Sequence, residues 1–281
     1  IILDQKQKQD TGLAGHGDMS ALSRLGVKTV ESVVDFLSSF SDKVFYHGSL
    51  SPDIEEFKQS GEFFHFGTPE AAYERLRDLR SVQDQGRSSD MVGSIYPVRL
   101  KAERPLTLEE NTYAGSLSSW NANNIWDRIS SEIGISGATP PNKNNKQLAV
   151  SKYGISSDEL NTAKVTKKYK KPDGKTFTDN RYFAENFQFN GVPFGEADEI
   201  YPGGKDRWII DFLNSKGFDS IQYVNKGEDP GSMSTIVLEP NQVRSQFANF
   251  DPAQAKSGKI LASVPLAAGA LSSLSTGEQD E

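Results

Sequence analysis

The chain has 281 residues, 38 of them acidic and 31 basic, and its net charge of −7 gives no support for nucleic-acid binding through the field of the whole chain. It contains no cysteine, which excludes disulfides, thiolate nucleophiles and thiolate metal sites. With only three histidines to supply imidazole ligands, the composition predicts that no metal is bound.

The first 42 residues predict a polar arm followed by an amphipathic helix. Residues 1–17 are polar and typical of a disordered arm. Between residues 18 and 40, four apolar residues recur at helical spacing, namely Val30, Val33, Val34 and Leu37. The stripe that they form predicts a helix that packs against the rest of the chain.

Short strands and one helix are predicted between residues 43 and 108. The segments "KVFYHGS" (43–49) and "GEFFHFG" (61–67) are rich in β-formers and end at glycine. Pro69 then occupies a first-turn position and opens the helix "PEAAYERLRDL". The segment "SIYPVRLKAERPLTL" (94–108) predicts one long strand, which Pro105 ends or confines to a sheet edge.

The second half of the chain predicts a more irregular region between two regular ones. "SSWNANNIWDRI" predicts a short helix with Trp120 and Trp126 on its buried side. Residues 133–205 predict an insertion, with loops at "GATPPNKNNK" and "GEADEIYPGGKD" and a basic hairpin at "KKYKKPDGKTF". "DRWIIDFLNSKGF" then predicts a helix ended by Gly217, and "DSIQYVN" and "MSTIVLEP" predict two strands joined by the turn "GEDPGS".

Short strands and helices without strict alternation predict an α+β fold. The predicted main domain spans residues 43–252, with 133–205 inserted and with 1–42 and 253–281 as flanking segments. The segment 253–281 is apolar and then acidic, and its apolar run is shorter than the roughly 20 residues that span a bilayer. Contact of this tail with a membrane or another protein, and a flexible terminus, are both left open.

Four separated pieces together resemble the ADP-ribosyltransferase superfamily. They are Tyr46-His47-Gly48-Ser49 at a strand end, "FFHFGTPEAA" with its strand, turn and helix, the strand "YPVRLKAERPLTLEE", and "KGFDSIQYVNKGEDPGSMSTIVLEPNQVRS". The pattern is most similar to the transferase-like domain of large phage-encoded polyvalent proteins. The resemblance implies a split antiparallel sheet with peripheral helices and a cleft for NAD between the two halves of the sheet.

The resemblance also implies roles for residues of this chain. His47 would bond a ribose hydroxyl of NAD, and the backbone of Gly48 would pair with the nicotinamide carboxamide. His65 falls where the diphtheria-toxin-like branch has an aromatic residue that stacks on nicotinamide. Ser234 falls where that branch has its catalytic glutamate. The nearest carboxylates are Glu228 and Asp229 in the turn just before it, and Glu228 is the predicted catalytic carboxylate together with His47.

Three further residues are predicted to shape the same pocket. Ser49 takes the small hydroxyl position after the His-Gly pair, and Gly67 and Thr68 follow His65 in the second motif. Each predicted site residue also has a structural interpretation. Gly67 and Thr68 are a turn and a helix cap for the helix that follows, the two histidines can bond neighbouring backbone, and Glu228 can be a solvated turn acid.

Two functions follow from these observations, and the sequence leaves both open. The first is NAD-dependent mono-ADP-ribosyl transfer, or the related NAD hydrolysis, in a phage context, with NAD and a host protein as partners and no nucleic acid. The alternative is a virion-internal or ejection protein that keeps this fold as a structural module, as the serine at position 234, the non-Met start and the apolar tail suggest. The expected location is the virion interior or the host bacterial cytoplasm.

Overall fold

The computed structural model of the chain describes residues 40–51, 53–58, 61, 63–83, 93–109, 120–137, 140–247 and 256–260. The predicted arm and helix of residues 1–42 fall outside this part except for residues 40–42. Of the predicted tail, residues 253–281, only 256–260 are described. The domain boundaries therefore stay predictions.

Strands and helices are numbered here in chain order. The strands are β1 (Phe45–Ser49), β2 (His65–Phe66), β3 (Ser94–Leu100), β4 (Pro105–Thr107), β5 (Lys164–Lys170), β6 (Thr176–Tyr182), β7 (Gln188–Phe189), β8 (Val192–Pro193), β9 (Ser220–Val224), β10 (Met233–Val237) and β11 (Val243–Ser245). The α-helices are α1 (Pro69–Gln83), α2 (Ala122–Glu132), α3 (Lys143–Tyr153), α4 (Ser157–Thr162), α5 (Ala197–Ile200) and α6 (Gly204–Ser215). Single 3₁₀ turns lie at Ala184–Asn186, Phe194–Glu196 and Pro240–Gln242.

The architecture is mixed α/β with several small antiparallel sheets, as the α+β prediction requires. A three-stranded sheet has the order β1-β3-β11, and a four-stranded sheet has the order β2-β10-β9-β4. Pairing is antiparallel except between β4 and β9. Tyr46 and Gly67 join the two sheets through a reciprocal pair of backbone hydrogen bonds of 3.0 Å each.

The prediction of one long strand over residues 94–108 is wrong, because the segment forms two strands in different sheets. β3 is the central strand of the three-stranded sheet, whereas β4 is an edge strand of the other. The Asp219 carboxylate accepts the backbone N–H groups of Glu103 and Arg104, at 3.0 and 2.9 Å, and so holds the connection between the strands. Pro105 opens the edge strand β4, where its missing N–H costs no ladder bond.

The prediction of buried Trp120 and Trp126 is confirmed. Both indoles are at most 1% exposed, although Trp120 precedes α2 rather than lying on it. Asn121 caps the helix by accepting the N–H of Asn124 at 2.9 Å. Trp126 packs against Trp208 of α6 with ring centres 5.3 Å apart, at the centre of the larger of two apolar clusters.

Residues 133–137 and 140–205 form ordered structure of their own rather than the predicted run of loops. The basic hairpin is confirmed as β5 and β6, with Gly174 at its tip in a left-handed conformation. The loop prediction for "GATPPNKNNK" is wrong at its end, because Asn142 and Asn145 form a reciprocal cap that starts α3. "GEADEIYPGGKD" likewise contains α5, and side chains such as Tyr153, Phe187 and Ala197 belong to the larger cluster.

A smaller apolar cluster fills the space behind β1 and β3. It contains Phe57, Phe66, Val98 and Leu100, each at most 1% exposed. Among the described residues of the predicted strand "GEFFHFG", His65 and Phe66 form β2, and Phe66 points into this cluster as expected. The smaller cluster takes side chains from both sheets, such as Val98 of β3 and Phe66 of β2, and the Tyr46–Gly67 junction lies where those sheets meet.

Candidate functional site

Six of the predicted site residues meet at one cavity beside the junction of the two sheets. They come from three separated parts of the chain and are His47, Gly48, His65, Gly67, Glu228 and Ser234. Helix α1 closes the cavity from the other side with Ala71, Ala72 and Arg75. The cavity volume is about 10 Å³, the space of a single water molecule at most.

His47 is held on β1 in one tautomer. Its Nδ1 lies 2.9 Å from the carbonyl oxygen of His65, and since a carbonyl only accepts, Nδ1 carries the proton and donates it. The lone pair of the ring is therefore on Nε2. Phenylalanines of the small cluster surround this imidazole, and the ring centres of Phe57, Phe64 and Phe66 lie 5.2, 5.3 and 5.5 Å from its own.

His65 is part of an aromatic stack that runs from the cavity to α2. Its Nδ1 lies 2.6 Å from the hydroxyl of Tyr223, and the two rings are stacked at 6.3 Å. The ring centres of Tyr223 and Trp120 are 4.3 Å apart, and the guanidinium carbon of Arg128 lies 4.1 Å from the centre of the Trp120 ring. Tyr223 thus fixes the orientation of His65, a role that the sequence did not reveal.

Both histidines are neutral near neutral pH because the fold excludes water from them. Burial lowers the pKa of His47 to about 4 and that of His65 to about 3, and the nearby Arg75 guanidinium adds to both shifts. Because the pKa of each histidine is lower in the folded state than in the unfolded state, only the unfolded state binds protons at these rings as the pH falls below 6.5. Their contribution to stability is complete above about pH 6.5 and is lost as the pH falls towards 4.

We expect the free energy of unfolding to fall by about 2 kcal/mol per histidine between pH 7.5 and pH 5.0. Urea unfolding at the two pH values measures the loss. His47→Phe removes one ionisable ring from its phenylalanine surroundings, so its pH dependence should be shallower by about 2 kcal/mol. An unchanged slope in this variant would contradict the buried, neutral state of His47.

Glu228 reaches the cavity because the β9–β10 turn folds back over it. Asn225 organises the turn, since its Oδ1 accepts the N–H groups of Gly227 and Glu228 at 3.1 and 2.8 Å and its Nδ2 donates to Ser234 Oγ at 3.3 Å. Asp229 has a positive φ of 60° and accepts a 2.6 Å hydrogen bond from Thr68 Oγ1. The carboxylate of Glu228 is consequently buried rather than solvated, with the residue 7% exposed.

Arg75 is the residue of this cavity that the sequence analysis missed. Its Nη1 lies 3.5 Å from Glu228 Oε1, and the two side chains are only 14% and 9% exposed. A signal for it does exist in the sequence: Arg75 lies three and four residues after Ala72 and Ala71, on the face of α1 that is otherwise apolar. An arginine within the buried stripe of a helix indicates an anionic partner.

The other two predicted residues lie beside the cavity and have structural contacts. Ser49 Oγ accepts the N–H of Ser51 at 3.1 Å. Thr68 Oγ1 accepts the N–H of Ala71 at 3.1 Å, which caps α1, while it donates to the β9–β10 turn. Thr68 therefore fixes both the helix that carries Arg75 and the turn that carries Glu228.

The two glycines of the site are required by close approach. A Cβ on Gly48 would overlap the carbonyl oxygen of Ala72, so β1 and α1 are in backbone contact there. A Cβ on Gly67 would lie 2.9 Å from Ser234 Oγ and 3.2 Å from Ala71 Cβ. The backbone N–H and C=O groups of alternate residues in a strand point to the same edge of that strand. The N–H and C=O of Gly48 therefore point to the same edge as those of Tyr46, which bond Gly67 and face away from β3.

Two features, a metal cluster and a membrane-spanning helix, are absent from the described part of the chain. No set of three or more histidine, aspartate or glutamate side chains in the described ranges is arranged to hold a metal ion. No helix in the described part of the chain combines the length and apolar character needed to cross a membrane.

Comparisons of the chain with protein-family models, with curated proteins and with solved structures gave no match. The resemblance to ADP-ribosyltransferases therefore depends on the motifs and on the site residues themselves. The family stays a prediction.

Proposed function

We propose that the cavity at the sheet junction is the nicotinamide end of an NAD site, and that the chain transfers ADP-ribose from NAD to a protein or to water. One observation carries this proposal. His47, His65 and the Glu228–Ser234 segment belong to three separated motifs of the sequence, and all of them line a single cavity. Three motifs with unrelated structural roles would have no cause to meet.

The Arg75–Glu228 ion pair supports NAD in particular, because NAD carries charges of both signs. Its pyrophosphate is an anion that a guanidinium can bind with two parallel hydrogen bonds. Its nicotinamide ring and the ribose carbon attached to it carry positive charge that a carboxylate stabilises. Binding exchanges the 3.5 Å ion pair for one contact with each end of the ligand.

Opening of the cleft is part of the proposal, since the cavity of about 10 Å³ admits no nucleotide. The β9–β10 turn is the element that moves. Within the described residues it is fastened to α1 by the Arg75–Glu228 pair and by the Thr68–Asp229 hydrogen bond. Lifting the turn breaks both contacts and uncovers the Gly48 edge of β1, where the carboxamide binds.

The proposed reaction breaks the bond between ribose C1′ and the nicotinamide nitrogen. The bonding electron pair leaves with nicotinamide, which becomes neutral, and positive charge develops on the ribose. Glu228 stabilises this charge, and His47 positions the ribose by accepting a hydroxyl proton in a hydrogen bond at Nε2. An acceptor hydroxyl, amine or water then bonds C1′ and releases its proton to solvent.

Incubation with NAD labelled in the nicotinamide ring tests this proposal. We expect the chain to release nicotinamide, and Glu228→Gln to lower the rate by about 100-fold because it removes the charge that stabilises the transition state. His47→Ala should also lose activity, whereas Tyr73→Ala, on the exposed outer face of α1, should retain it. Release that is equally fast in Glu228→Gln would contradict the assigned role.

The second candidate is a structural module that retains the fold without turnover. Two observations favour it: position 234 is a serine that is 2% exposed, and the cavity is closed over an ion pair. Ser234→Glu distinguishes the candidates. It should raise nicotinamide release if the cleft binds NAD, and it should leave release at background if the protein is purely structural.

The acceptor and the setting of this reaction are proposed from the resemblance alone. A host protein is the acceptor in the first candidate, and other virion proteins are the partners in the second. Both place the chain in a phage virion or in the bacterial cytoplasm after infection.

A further inference from the structure

The hairpin of residues 164–182, called here the basic hairpin, differs from the rest of the chain in charge. It contains seven basic and two acidic residues, a local charge of +5 in a chain whose net charge is −7. Its strands β5 and β6 pair only with each other, and most of their side chains are exposed. The basic hairpin is therefore strongly positive although the net charge of the whole chain is negative.

Most of this positive charge has no acidic neighbour. Asp173 and Asp179 are each paired within the hairpin, with Lys175 at 3.7 Å and Arg181 at 2.9 Å. The other five amino groups, within the described residues, have no carboxylate at ion-pair distance; they belong to Lys164, Lys167, Lys168, Lys170 and Lys171. Three of them, at positions 164, 168 and 170, share one face of the hairpin.

The opposite face presents a pair of aromatic rings to solvent. Tyr169 and Phe177 lie directly opposite each other in the ladder, and they are 46% and 49% exposed. Lys167 is on the same face, and the Lys171 amino group lies 5.3 Å from the centre of the Phe177 ring. Two exposed aromatic rings flanked by ammonium groups contribute little buried apolar surface to the stability of the hairpin, so folding alone does not explain them.

We propose that the basic hairpin binds single-stranded nucleic acid. Its exposed rings stack on unpaired bases, and its lysines contact the phosphates between them, the combination by which such surfaces bind without sequence preference. The proposal is independent of NAD binding, because the hairpin is separate from the residues that line the cavity.

Other anionic partners fit the hairpin less well. An acidic protein segment would use the lysines but has no need of the aromatic pair. A membrane surface would call for an apolar tip, whereas the tip here is Pro172-Asp173-Gly174 between two lysines. Lysines on exposed edges also prevent strands from aggregating, but that purpose leaves Tyr169 and Phe177 unexplained.

Fluorescence anisotropy of the full chain with labelled oligo(dT) of about 16 nucleotides tests the proposal. We expect Tyr169→Ala and Phe177→Ala each to weaken binding by about fivefold or more. Replacing both Lys167 and Lys171, the lysines beside the two rings, by Ala should lower the slope of log K against log salt by about 1.4, or about 0.7 for each phosphate contact that is lost. These side chains are exposed, and unchanged thermal melting would confirm that the variants fold.

A matched control and two competitors make the outcome decisive. Lys143→Ala combined with Lys146→Ala removes two exposed lysines from α3 and should leave both affinity and slope unchanged. Duplex DNA of the same length and polyglutamate should bind more weakly than oligo(dT). Absence of binding, equal affinity for polyglutamate or for duplex, or binding that Tyr169→Ala does not weaken would each overturn the proposal.

Discussion

Gly48→Ala is expected to destabilise the protein by about 3 kcal/mol or more, because the added methyl group meets backbone rather than a flexible side chain. The Cβ would overlap the carbonyl oxygen of Ala72, so α1 must move away from β1 to admit it. Urea unfolding of the purified variant measures the loss. Since α1 carries Arg75, the same displacement should also open the cavity at the sheet junction.

Gly137→Ala is the matched control for this substitution. A Cβ at that exposed position has no neighbour within 4 Å, and its backbone is not left-handed. The expected change is within about 1 kcal/mol in either direction. Equal stabilities of the Gly48 and Gly137 variants would show that β1 and α1 are not in backbone contact.

Arg75→Met is expected to cost about 3 kcal/mol, because it leaves the buried Glu228 carboxylate without its guanidinium. Combining it with Glu228→Gln removes the uncompensated charge. The double variant should therefore be more stable than Arg75→Met alone, by about 1 kcal/mol or more. Unfolding measurements on the two single variants and the double variant give the coupling energy directly.

An exposed ion pair provides the comparison for this cycle. The Lys58 Nζ atom lies 3.2 Å from Glu56 Oε2, but the Lys58 side chain is 74% exposed. Lys58→Met should therefore change the free energy of unfolding by less than about 1 kcal/mol. Additive effects of the Arg75 and Glu228 substitutions would contradict the pairing. They would also remove the charge exchange on which the proposed NAD binding depends.

The local elements of the fold were mostly predictable from the sequence. Pro69 opens α1, Gly217 follows the end of α6, and the hairpin around Pro172-Asp173-Gly174 forms as expected. These features depend on neighbouring residues only. The division of residues 94–108 between two sheets was not predictable, because it depends on Asp219, more than a hundred positions along the chain.

The ordered structure of residues 133–205 was missed for a different reason. α3 is polar along most of its surface and buries only Ala149 and Tyr153, so it lacks the apolar stripe by which a helix is recognised. Its start is marked by a reciprocal asparagine cap instead of the usual serine and glutamate. Short helices of this kind are fixed by the cluster on which they pack.

The site was predictable as a set of motifs but not as an arrangement. His47 and His65 stand out because each interrupts an apolar strand, and both line the cavity. The burial of Glu228 depends on how Asn225 folds the β9–β10 turn, and the sequence gives no measure of that. The roles of Arg75 and Tyr223 were not predictable, because their contacts with Glu228 and His65 form only when separate helices, strands and turns pack together.

The most direct test of the NAD site is a calorimetric titration of the chain with NAD, alongside His47→Ala and the exposed control Tyr73→Ala. The account predicts that the wild-type chain and the control bind NAD and that His47→Ala loses most of the affinity. Absence of binding to the wild-type chain, or undiminished binding to His47→Ala, would contradict the assignment of this cavity to NAD.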